Sequence, residues 1–116
     1  MVSLNATGFS NYSDIQLKEL EVIIKDSGLD YFYIVDSYGS MLPSDIPRLL
    51  ERFVRMDEIK VGFHPHNSFQ MAFANALEAI RVGASVVDSS MLGMGRGAGN
   101  LPSEVMLTYL QKGCED

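Results

Sequence analysis

Four short apolar segments in this chain each run into a polar residue: "VSLNAT" at 2–7, "YFYIVDSYG" at 31–39, "IKVGFHPHN" at 59–67 and "SVVDSS" at 85–90. Each predicts a buried strand. The stretches between them have helical spacing. In "SDIQLKELEVIIKDSG", Ser13 and Gln16 form a capping-box pattern, Leu17, Leu20, Ile23 and Ile24 share a face, and Gly28 is the stop. "PSDIPRLLERFVRM" offers Ser44 as N-cap, a proline in its first turn, and an apolar stripe of Leu49, Leu50 and Phe53. "SFQMAFANALEAIRVG" spaces Met71, Ala74, Leu77 and Ile80 along one side and ends at Gly83, and a last helix is bracketed by Pro102 and Gly113. Strand and helix therefore alternate four times, which specifies a parallel α/β sheet within one domain spanning residues 1–116.

The polar residues add a location. Asn5, Asp36, His64 with His66, and Asp88 all fall at the C-terminal ends of their strands. Parallel strands bring those ends to one rim, where barrels and open α/β sheets build their active sites. Alternation along the third strand puts Ile59, Val61 and Phe63 on the helix side and Lys60, Gly62, His64 and His66 on the other, facing a barrel interior. If Asp36 and Asp88 also point inward, Phe32, Ile34 and Val86 make part of that inner face apolar.

Two histidines two apart on a strand project in the same direction and can share one divalent ion, and Asp36, Asp88 and Asn67 converge on the same rim. The plain alternative is a hydrogen-bonded pair that orders the strand end. Asp36 has two readings as well: it orients a bound water or substrate, or it caps the following turn. The glycine-rich "GMGRGAGN" either holds a substrate carboxylate or phosphate with Arg96 and the amides around Gly97, or makes a tight return in which Asn100 caps the last helix.

Composition narrows the rest. The chain is 47% hydrophobic and 21% charged, an ordinary globular balance. A net charge of −6 with no basic cluster argues against nucleic acid as a partner. No apolar run is long enough to span a bilayer and no signal segment is evident, so a cytoplasmic protein without membrane attachment is expected. The single Cys114 makes neither a disulfide framework nor a thiolate cluster.

"GFHPHN", "DSYG" and "ALEAIRVGASVVDSSMLGMGRGAGNLPSE" together resemble the HMGL-like family of metal-dependent pyruvate aldolases, lyases and acyl-condensing enzymes, 4-hydroxy-2-oxovalerate aldolase among them. The resemblance implies a TIM barrel with a catalytic divalent cation, Mn²⁺ first, with Mg²⁺ or Co²⁺ as alternatives. It makes His64 and His66 the metal ligands, adds Asn100 as a further ligand, and implies cleavage of a 4-hydroxy-2-oxo acid to pyruvate and an aldehyde. An acyl-CoA condensing synthase of the isopropylmalate synthase type is the alternative activity, and a half-barrel without catalysis is another. Asn5, Asp88, Arg96 and Gly97 are the candidate substrate contacts and Asp36 the candidate catalytic group. The family's Asp-Arg-Glu motif on its first strand has no counterpart here. The chain resembles strands five to eight, a parallel (βα)4 half of a barrel, since a whole one needs about 250 residues. Completion by a second copy, or by a separate first half, is therefore expected.

Overall fold

The computed structural model describes residues 1–115. Four strands, β1 (Ser3–Ala6), β2 (Tyr31–Asp36), β3 (Lys60–Pro65) and β4 (Val86–Val87), alternate with α1 (Asp14–Lys25), α2 (Ile46–Val54), α3 (Ala72–Val82) and α4 (Ser103–Glu115). The sheet runs in the order β1-β2-β3-β4 with every pair parallel. It is a (βα)4 unit, as the alternation predicts. Both β1 and β4 are edge strands.

The register fixes which residues share a face. Val35 pairs with His64 and Asp36 with Pro65, so Tyr31, Tyr33 and Val35 lie on the same side as Gly62 and His64, while Phe32, Ile34 and Asp36 lie on the helix side. Phe32, Ile34 and Asp36 are completely buried there. This corrects the expectation that those three point into the barrel interior; Val86, opposite Gly62, does face inward. The core between sheet and helices is built on three rings. Phe32 lies 4.9 Å from Phe53 of α2, and Phe9, from the turn after β1, lies 5.8 Å from Phe53 and 6.1 Å from Phe32. Each such burial is worth about 1.5–3 kcal/mol, and together the rings lock β2 to α2.

The helices depart from the predicted faces in instructive ways. α1 has its capping box, with Ser13 and Gln16 bonded reciprocally, and buries Leu17 and Ile24, but Ile23 is exposed. α2 is not capped by Ser44: a 3-10 turn over Pro43–Asp45 precedes it, and the Asp45 carboxylate accepts the Leu42 amide at 2.8 Å. α3 buries Ala72, Asn75, Ala76 and Ala79, whereas Met71 and Ile80 are exposed. Small side chains let this helix lie close to its neighbours, so the larger apolar ones flank the contact. α4 continues through Gly113, and β4 is far shorter than the predicted 85–90.

Candidate active site

The site lies at the C-terminal rim, where β3 delivers His64 and the residue just past it delivers His66. Gly62 is what allows the inner face to close over this strand. A Cβ there would collide with the Tyr33 ring, which lies across β3 from β2. His64 donates Nδ1–H to Asp88 Oδ2 at 2.9 Å. That bond places a proton on Nδ1 and leaves Nε2 to face His66. Nε2 of His66 stands 3.2 Å from it, with the ring centroids 5.1 Å apart.

Two nitrogens that close call for an electropositive centre between them, either a proton on His66 Nε2 or a cation shared by both. Ligand bonds of about 2.0–2.1 Å meeting at 90–110° separate two nitrogens by about 2.8–3.4 Å, so the observed spacing fits a common ion. The carboxylate behind His64 is the kind of partner that orients metal-binding imidazoles. His66 is held below the usual histidine range, first by burial and then by its His64 neighbour, with Arg96 adding to the effect and Asp36 and the Ser37 backbone opposing it. It is therefore predominantly neutral near pH 7, the form that ligates. Among the described residues, no set of three His, Cys, Asp or Glu side chains converges to hold a metal.

A cavity of about 200 Å³ opens beside the pair, lined by Asn5, Thr7, Val35, Ser37, His64, His66 and Arg96. Residues at and just past the strand ends supply most of its wall, and Arg96 of the glycine-rich loop the rest. That loop is stitched to β3: His66 and Asn100 form an antiparallel bridge, and the Asn67 amide donates to the Gly99 carbonyl at 2.9 Å. Gly99 sits at φ +85° with no room for a side chain against the Gly93 carbonyl, which explains the glycine there.

Of the residues singled out from sequence, Asn5, His64, His66 and Arg96 line this cavity, and Asp88 reaches it through His64. The others lie elsewhere. Asp36 is on the opposite face, where Oδ1 accepts the Ser40 amide at 3.1 Å and Oδ2 the Met41 amide at 3.2 Å. It has the geometry of the turn cap, and burial raises its pKa despite those bonds. Asn100 turns its amide into its own loop, Nδ2 donating to the Met94 carbonyl at 3.1 Å. Gly97 is exposed, at φ +64°. Asn67 uses Oδ1 to accept the Ala72 amide at the start of α3. Sequence reasoning missed Thr7, Val35 and Ser37. They would have followed from Asn5 and His64 by parity, had the phase of β2 been known.

The model of the HMGL-like family matches residues 2–113. The chain belongs to the HMGL-like family. It is 43% identical over 96 residues to a 4-hydroxy-2-oxovalerate aldolase of Thermomicrobium roseum, covering 83% of this chain and 27% of that protein. It is 42% identical over 88 residues to an oxaloacetate decarboxylase of Mycobacterium tuberculosis, covering 76% and 26%. Among solved structures, the N-terminal domain of a putative aldolase from Bacteroides vulgatus superposes with a TM-score of 0.81 at 34% identity, over 98% of this chain and 38% of that one. This HMGL-like chain thus spans about a quarter of the length of these two curated relatives, and its (βα)4 unit corresponds to part of a barrel. Within the described residues no helix is long and apolar enough to cross a membrane.

Proposed function

We propose that this HMGL-like chain carries the metal-binding half of a lyase that breaks a carbon–carbon bond in a small 2-oxo acid, with 4-hydroxy-2-oxo acids cleaved to pyruvate and an aldehyde. The observation that carries the reading is the His64–His66 pair: two Nε2 atoms 3.2 Å apart, one tautomer fixed by Asp88. The two relatives support the substrate class. Aldol cleavage of 4-hydroxy-2-oxovalerate and decarboxylation of oxaloacetate both leave the bonding electrons on C3 of the same fragment, the enolate of pyruvate.

When bound, a divalent cation of the Mn²⁺, Mg²⁺ or Co²⁺ kind supplies Lewis-acid stabilisation of that enolate charge. The protein's part is to hold and to exclude. His64 and His66 present their Nε2 atoms, Asp88 orients the His64 ring through Nδ1, and Asn5, Thr7 and Ser37 surround the substrate with polar groups.

Two neutral ligands under-neutralise a divalent ion, so completion from outside the described residues is part of the proposal. Edge strands β1 and β4 and the inward-facing Tyr31, Tyr33 and Val86 support pairing with a second copy or with a separate half-barrel, and light scattering that returns a monomer at micromolar concentration would count against it. A cytoplasmic location goes with this reading. The deciding experiment is a Mn²⁺ titration followed by a pyruvate-release assay. His64→Ala abolishes both signals; pyruvate release that survives loss of both histidines would defeat the proposal.

A further inference from the structure

Arg96 is not accounted for by cation binding or by the fold. It is exposed, it lines the cavity together with both histidines, and among the described residues it enters no ion pair. Its backbone is nevertheless held in place. The Arg96 carbonyl accepts the Gly99 amide at 3.1 Å, and Gly99 and Asn100 are bonded in turn to the end of β3. A cationic side chain on an anchored loop, in no ion pair among the described residues, is free to meet an anion from solution.

The surroundings indicate which anion. The carboxylates at the strand ends are committed: Asp88 to His64, and Asp36 to two turn amides on the other face of the sheet. Among the described residues Arg96 is thus the one lysine or arginine lining the cavity, in a chain of net charge −6. On the reading proposed above, His64 and His66 would hold a cation that stabilises charge at the 2-oxo end of the substrate. Arg96 is then left for a second charged group on the same molecule. We infer that Arg96 is a specificity-determining residue that pairs with a second anionic group, a carboxylate or a phosphate, on the far end of a 2-oxo acid, so that the site selects doubly charged substrates over those with a neutral tail. The inference rests on the proposed site but not on turnover, because it concerns binding alone. A guanidinium–carboxylate pair is charge-assisted and often bidentate. A hydrogen bond to a charged group corresponds to about tenfold to a hundredfold in affinity.

The test uses two unreactive probes of equal chain length, 2-oxoglutarate and 2-oxovalerate, which differ only in a terminal carboxylate against a methyl group. Calorimetry on the Mn²⁺-loaded protein should show wild type binding 2-oxoglutarate about tenfold to a hundredfold more tightly, with Arg96→Ala bringing the ratio to about one and Arg96→Lys keeping part of it. A phosphate-tailed 2-oxo acid measured in parallel separates the two sources of charge, since the preferred group gives the larger ratio. A wild-type ratio near one, a ratio unchanged in Arg96→Ala, or no binding of either probe at millimolar concentration overturns the inference. Loss of Mn²⁺ dependence with the ratio intact would instead defeat the metal reading and leave Arg96 in its role. Arg96→Ala should melt at the wild-type temperature, because the side chain is exposed and unpaired.

Discussion

Asp88 is the residue whose alteration tests the site most sharply, because it touches the cation site only through His64. Its Oδ2 lies 2.9 Å from His64 Nδ1, and the carboxylate side chain is 37% exposed. A charge-assisted bond of this kind is worth about 1.5–3 kcal/mol when desolvated, and solvent screening at this exposure reduces it to about 1–2 kcal/mol. At 1.36 kcal/mol per tenfold, the expected loss of Mn²⁺ affinity in Asp88→Ala is about 5- to 30-fold, within the range seen when partners of metal-ligating histidines are removed. Asp88→Asn should lose less, about threefold, since an amide oxygen still accepts from Nδ1–H but lacks the charge. Calorimetric Mn²⁺ titration near neutral pH measures both. Nitrogen-resolved NMR of the imidazoles should show His64 moving away from the Nδ1–H tautomer in Asp88→Ala only. Two results would refute the reasoning: Asp88→Ala binding Mn²⁺ as wild type does while His64→Ala does not, or Asp88→Ala losing affinity as completely as His64→Ala. The first removes the orienting role. The second makes Asp88 a ligand.

Two further outcomes follow from the geometry. Because burial and His64 hold His66 below its ordinary pKa of about 6.5, the folded protein takes up its proton there at lower pH than the unfolded chain does. Its contribution to stability is thus present above the unfolded value and lost as pH falls from that value toward the folded one; His66→Gln should flatten that part of a stability–pH curve, and Mn²⁺ binding should persist to lower pH than for an unperturbed histidine. Gly62→Ala should destabilise by about 1–3 kcal/mol in urea unfolding through overpacking against Tyr33, and the added change Tyr33→Ala should recover part of the loss relative to Tyr33→Ala alone.

How far the sequence could be read depended on whether each segment's two faces differ. β3 alternates Lys60, Val61, Gly62, Phe63, His64, so its phase is visible and the inward direction of both histidines follows. β2 reads Tyr31, Phe32, Tyr33, Ile34, Val35, apolar on both faces, and alternation there carries no phase; the acidic Asp36 was the only cue, and it points to the wrong side because its carboxylate serves the turn. α3 misled for a related reason: its contact is made by alanines, whose small size is the asset, while hydrophobicity alone selects Leu77 and Ile80. The rim itself was legible because strand order and direction follow from alternation. Thr7 and Ser37 carry no signal of their own until neighbouring strands are in register.

The backbone stitching of His66 to Asn100 and of Asn67 to Gly99 has a consequence for redesign. The distance between positions 64 and 66 is set by main chain held on two sides, not by the imidazoles it presents. The strand end is therefore a two-pronged mount on which ligand chemistry can be exchanged, thiolate or carboxylate for imidazole, to change metal preference without rebuilding the scaffold.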